Sequence, residues 1–172
     1  ESSDSAHEGT GVLRMESRGE VLWARSRPLP IPRSGRLSLK IQVRSRDPQR
    51  PAPLRLSLEA KTPDGGYYQF APIGLGHGEG IGGAIGPEWT PFAVHFDDLP
   101  CDGVQELRVG FDLMGAGDLE IDGLEVLDGW FDDSDRKVLF QRISVARLQL
   151  QQGNLVGPYR LLEGYWPRVI MD

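Results

Sequence analysis

The sequence predicts an all-β fold, an antiparallel β-sandwich followed by a short helical appendage. Three observations carry that expectation. From residue 11 to 127 apolar and polar residues alternate with a period of two, the signature of strands with one buried and one wetted face. The breaks between alternating runs hold Pro, Gly and Asp, the residues of turns. After Trp130 the period changes to that of a helix.

Taken in order, weaker strands are expected at 11–16 and 20–26, the second ending where Pro28, Pro30 and Pro32 oppose pairing. Leu37, Leu39, Ile41 and Val43 then alternate with Arg36, Ser38, Lys40, Gln42 and Arg44. After the proline-rich connection Asp47 to Pro53, Leu54, Leu56, Leu58 and Ala60 alternate with Arg55, Ser57, Glu59 and Lys61. Pro63-Asp64-Gly65-Gly66 reads as a hairpin turn into a strand at 67–73, because glycine readily takes positive φ. Phe92, Val94 and Phe96 form the next buried row, and Leu107, Val109, Phe111 and Leu113 the one after, before a last strand at 118–127. Eight short strands with no helix between them exclude an α/β fold and fit a sandwich of the jelly-roll kind. Leu37, Leu39, Ile41, Leu54, Leu56, Leu58, Phe92, Val94, Phe96, Val109 and Phe111 are the expected core.

The appendage is expected as one helix over 134–152, capped by Ser134 and stopped at Gly153. Val138, Leu139, Ile143, Ala146 and Leu150 lie near one face, which predicts docking on the sandwich beside Trp130 and Phe131. A second helical turn is expected from Pro158 to Gly164, before the apolar end Tyr165, Trp166, Val169 and Ile170. The domain reading is therefore residues 1–130 as sandwich and 131–172 as helical tail, since about 40 residues bury too little to be stable alone.

Composition narrows the function. The 172 residues carry a net charge of −6, which argues against a nucleic-acid partner. Residues 1–62 hold 12 Lys or Arg against 7 Asp or Glu, and the rest 7 against 18, so the first third is basic. No apolar run reaches the roughly 20 residues of a membrane span. The one cysteine, Cys101, excludes an internal disulfide and a cysteine-built zinc site. Gly74 to Gly86 holds seven glycines in 13 residues, but the strand expected after it is wrong for a phosphate loop, which needs a helix there. A mobile loop, or one that closes over a glycan or another ligand, remains. His7, His77 and His95 are too scattered to nominate a metal triad, and His95 is expected on a solvated face. Asp97-Asp98 and Asp132-Asp133 sit beside turns, where carboxylates act as caps. With no readable nucleophile–base pair, the expectation is a protein that is not an enzyme.

Three stretches carry a resemblance. They are Trp23-Ala-Arg-Ser-Arg-Pro-Leu-Pro-Ile-Pro with Gly35-Arg-Leu-Ser-Leu, Glu88-Trp-Thr-Pro-Phe-Ala-Val-His-Phe, and Leu107-Arg-Val-Gly-Phe with Leu119-Glu-Ile-Asp-Gly-Leu-Glu-Val. Across roughly residues 10–128 the chain resembles the jelly-roll carbohydrate-binding modules of the galactose-binding-like superfamily, which bind xylan and glucan chains. Leu162-Glu-Gly-Tyr-Trp-Pro-Arg is similar to a segment of bacterial proteins that join such a module to a helical tail. No stretch before Gly9 matches the family's opening strand, so the chain reads as beginning inside the usual domain.

The resemblance implies a binding module outside the cytoplasm, with a polysaccharide as partner. The rival is a structural or protein-interaction domain of a larger protein. Rings bind sugars in such modules, so Trp23, Tyr67 and Tyr68 are the candidates, alternation sending one of the tyrosine pair outward. Trp23 shares a face with Val21, and core packing is expected for it. Alternation places Arg36, Lys40, Arg44, Arg55, Lys61, His95 and Arg108 on outward faces. Arg55, His95 and Arg108 are the candidate polar contacts, and so many cations point to an anionic polysaccharide. No cofactor is expected. The resemblance implies a structural calcium at Asp122, although the family's acidic neighbour is Gly123 here.

Overall fold

The computed structural model describes residues 11–47, 49, 53–74, 83–100, 103–164 and 167. The core of the glycine-rich stretch (75–82), His7, His77, Cys101 and the end Tyr165, Trp166, Val169 and Ile170 lie outside them. Eight strands follow in chain order: β1 (Leu13–Ser17), β2 (Leu22–Arg25), β3 (Leu37–Ser45), β4 (Leu54–Thr62), β5 (Gly65–Ile73), β6 (Thr90–Phe96), β7 (Glu106–Leu113) and β8 (Gly117–Asp128). Two helices close the chain, α1 (Asp133–Gln151) and α2 (Val156–Glu163). The strands form two four-stranded antiparallel sheets, ordered β1-β8-β3-β6 and β2-β7-β4-β5, in a jelly-roll sandwich.

The alternation read from sequence is the alternation observed. All eleven expected core residues are buried, joined by Val43, Ile73, Leu113, Leu119 and Ile121. The β4–β5 hairpin turns at Pro63-Asp64-Gly65-Gly66, as the residues there predict. Gly65 takes φ 138°, and the Thr62 hydroxyl donates to the Gly65 carbonyl at 2.9 Å.

The chain divides into two compact units. The first comprises Glu1–Ile31, Leu39–His95 and Gly103–Val126, the second Pro32–Ser38, Phe96–Asp102 and Leu127–Asp172. In the first, alternation sets charged residues on the outer face of the β1-β8-β3-β6 sheet, and they close on one another. Glu120, buried, accepts from Arg44 (2.6 Å) and Arg46 (2.8 Å), and Arg44 lies 4.5 Å over the Trp89 ring. Lys40 reaches Glu125 at 3.7 Å.

The second unit departs from three expectations. Arg36, expected to face solvent, is 1% exposed. Its guanidinium donates to Asp97 (3.0 Å), Asp135 (2.7 Å) and the Trp130 carbonyl (3.2 Å), and lies 4.8 Å over the Phe131 ring. Helix α1 is capped by Asp132 and not by Ser134. The Asp132 carboxylate accepts from the Asp135 N–H (2.8 Å), and Asp135 accepts in return from the Asp132 N–H (3.0 Å). The capping oxygen of Asp135 is also the one that Arg36 holds. Along α1 only Ala146 is buried, while Val138, Ile143 and Leu150 of the expected docking face stay exposed. The reason is visible in the sequence: Phe140, Val145 and Leu148 spread apolar residues around the helix, so no single stripe is set apart for burial.

Candidate ligand-binding face

The outer face of the β2-β7-β4-β5 sheet lies in the first unit and is built by register. Inward-pointing Leu54, Leu56, Leu58 and Ala60 leave Arg55, Ser57, Glu59 and Lys61 outward. Pairing then lines up three rows across the strands. The first row is Trp23, Asp112, Arg55 and Pro72; the second Arg25, Gly110, Ser57 and Phe70; the third Arg108, Glu59 and Tyr68.

Aromatic rings stand at both edges of this face. Trp23 is 72% exposed on β2, against the expectation of core packing. In a four-residue strand alternation reads equally well either way, and Leu22 and Ala24 take the side that faces Leu113 and Phe111. On β5, Tyr68 and Phe70 are exposed, with ring centroids 5.9 Å apart. Trp23 and the β5 rings are separated by three strand spacings, roughly 14 Å across the sheet.

Between the rings lies a polar floor. Arg25 bridges two carboxylates, donating to Glu59 Oε1 at 2.7 Å and to Asp112 Oδ1 at 2.5 Å. Burial opposes the Arg25 charge, but the hydrogen bonds and charges of Asp112 and Glu59 outweigh it and raise its pKa. Asp112 is buried and also accepts from the Tyr68 hydroxyl at 2.9 Å. Burial, reinforced by that bond to an anion, pushes the Tyr68 pKa up and keeps the phenol a neutral donor. Arg55 lies 4.5 Å over the Phe70 ring, and Arg108 is paired with Glu106. At one end the face dips into a recess of about 410 Å³ whose walls include Glu59, Lys61, Tyr67, Tyr68, Glu106 and Arg108.

Of the residues nominated from sequence, Tyr67, Tyr68 and Arg108 meet at that recess, and Arg55 lies on the same face. Tyr67 stands opposite Ala60, on the inward-facing parity of β5, and its hydroxyl donates to Gln69 at 3.0 Å. His95 is on β6 in the other sheet and shares no face with Arg55. The outward basic residues thus divide between two sheets, Lys40, Arg44 and His95 on one and Arg55, Lys61 and Arg108 on the other. Asp122 turns its carboxylate to the Gly123 N–H at 2.7 Å and stands in no group of three acidic, histidine or cysteine ligands among the described residues. Sequence reasoning passed over Arg25, Glu59, Phe70, Gly110 and Asp112. Their signal was parity: Phe70 has that of Tyr68, and Arg25 that of Trp23.

Comparison with solved structures finds the same architecture. The chain is similar to a protein described as Family 16 Carbohydrate Binding Module-2, at 12% identity and a TM-score of 0.51, over 73% of this chain and 82% of that one. It is also similar to the CBM22-1-GH10 modules of the Clostridium thermocellum endo-1,4-beta-D-xylanase 10B, complexed with xylohexaose. That match has 11% identity and a TM-score of 0.53, and covers 76% of this chain but only 24% of the other. No family model matches the chain, and no curated protein matches it. At these identities the likeness is one of fold: a jelly roll like that of carbohydrate-binding modules.

Proposed function

We propose that the chain is a non-catalytic carbohydrate-binding module that takes a glycan across the outer face of the β2-β7-β4-β5 sheet. The observation that carries the reading is an exposed Trp23 facing Tyr68 and Phe70 across a floor of Arg25, Glu59 and Asp112. Flat rings accept the C–H faces of sugars, and rings held in a sheet lose little freedom on binding. A guanidinium only donates and a carboxylate only accepts. Side by side, they suit neighbouring hydroxyls, one accepting and the other donating.

The same floor bears on the sugar's charge. Arg25 and Arg108 are already closed on Glu59, Asp112 and Glu106. A neutral, hydroxyl-rich chain meets them without breaking those pairs, whereas the anionic polysaccharide suggested by the outward cations must compete for them. A nucleic acid faces the same competition with a protein of net charge −6. The reading puts the chain outside the cytoplasm, where such polysaccharides lie; no helix of the described residues is long and apolar enough to cross a membrane.

Calorimetric titration with xylohexaose, cellohexaose and polygalacturonate, at low and high salt, tests the proposal. Binding of a neutral oligosaccharide that salt leaves unchanged is expected. Trp23→Ala and Tyr68→Ala should each weaken it about tenfold, the ~1.4 kcal/mol scale of one aromatic contact. No binding of any of the three by the folded chain sinks the glycan reading, and salt-sensitive binding of polygalacturonate alone reverses the charge preference.

A second reading, a protein-interaction domain, has its own observation. Phe140 and Leu148 of α1, Leu155 just before α2, and Tyr159 and Leu162 of α2 are all more than half exposed, and exposed apolar residues are the raw material of an interaction surface. Sedimentation of the full chain over a range of concentrations checks self-association. Under this reading the chain associates, and a Phe140→Ser, Leu155→Ser double variant restores the monomer.

A further inference from the structure

We infer that Gly110 is a positioning residue for the glycan face, holding Arg25 flush with the sheet; the inference rests on the binding reading above. Gly110 is the centre of the second row, between Arg25 on β2 and Ser57 on β4. A Cβ built on it would stand 2.5 Å from Arg25 Nη1, 2.7 Å from Arg25 Cδ and 2.6 Å from Ser57 Oγ. Arg25 therefore lies across the main chain of β7, in the space a side chain would fill. From there it reaches Asp112 in one direction and Glu59 in the other.

The partners of Arg25 make this position matter. Ser57 is fully buried, and its hydroxyl has no hydrogen-bond partner among the described residues. The close approach of Arg25 and the smallness of Ser57 together let the guanidinium occupy the floor, with the rings of Trp23, Tyr68 and Phe70 around it. Any side chain at 110 lifts Arg25 off that floor and toward the ligand. Asp112 then loses its cation while still accepting from Tyr68. A bulkier residue at 110 thus acts on the ligand through Arg25, not by touching it.

The backbone at Gly110 does not itself demand glycine, because its φ is not among the positive ones. Gly110→Ala is therefore a test of space. Two readouts separate the inference from the reading beneath it. The first needs no ligand: the Arg25 Nε–H, donated to Glu59, should give a protected side-chain signal in ¹⁵N-correlated NMR, assigned by its loss in Arg25→Lys. Gly110→Ala should abolish that signal. The second is affinity for xylohexaose, which should fall at least tenfold in Gly110→Ala and no further in Gly110→Ala, Arg25→Ala than in Arg25→Ala alone. Ser57→Ala, Gly110→Ala removes the clash with the serine hydroxyl and should show the same two losses, with any misfolding caused by that clash relieved. An Arg25 signal that survives Gly110→Ala, or losses that multiply in the double variant, overturns the inference. If the wild-type chain binds no glycan, the binding reading fails, and the Nε–H signal still decides whether Gly110 positions Arg25.

Discussion

Arg36→Ala should destabilise the chain by about 3–5 kcal/mol, the usual result of removing one partner from a buried ion pair. Arg36 is almost fully buried, and its guanidinium serves Asp97, Asp135 and the Trp130 carbonyl at once. Truncation leaves Asp135, itself mostly buried, facing the gap with its charge unmatched. It also loosens the start of α1, because the Asp135 oxygen bonded to Arg36 is the one that accepts from the Asp132 N–H. A helix loses about 1 kcal/mol when its cap is broken. Chemical denaturation followed by circular dichroism measures the loss. Arg36→Lys should recover only part of it, since an ammonium cannot reproduce the two-armed contact to Asp97 and Asp135. A change below about 0.5 kcal/mol in Arg36→Ala would mean a surface residue and would contradict the network.

Arg36 also marks where the sequence could be read and where it could not. Period-two alternation finds the inward face of a strand reliably, because water on the other face is the simplest environment that favours polar residues. That is why Leu37 to Val43, Leu54 to Ala60 and Leu107 to Leu113 are buried as expected. Arg36 has the outward parity too, but around it stand Trp130, Phe131 and the first turn of α1, which alternation along one strand cannot foresee. Trp23 failed for a different reason: a strand of four residues is too short for parity to identify its inward side. The ligand face was half legible. Tyr68, Arg55 and Arg108 follow from parity within their own strands, but their assembly with Arg25, Asp112 and Gly110 depends on β7 lying between β2 and β4. Strand order is a long-range property, and no local pattern encodes it. His95 shows the same limit, since equal parity on β6 puts it on the other sheet.

Phe96→Ala should cost about 3–5 kcal/mol, the range for deleting a buried aromatic ring and leaving a cavity. Phe96 is 1% exposed and ends the Phe92, Val94, Phe96 row of β6, an edge strand of the β1-β8-β3-β6 sheet. A loss of that size is about a fifth or more of the roughly 5–15 kcal/mol that ordinarily holds a domain together. It should lower the melting temperature by roughly 6–20 °C, at about 2–4 °C per kcal/mol for a chain of this length. The variant also separates stability from binding. Phe96 belongs to the sheet opposite the one that carries Trp23, Tyr68 and Arg25. Below its melting temperature, Phe96→Ala should therefore bind xylohexaose as tightly as the parent, whereas Trp23→Ala should bind weakly and melt normally. A Phe96→Ala loss below about 1 kcal/mol would look like a surface substitution and break the register of β6. A fall in affinity matching the fall in stability would tie the ligand to the whole fold instead of to one face.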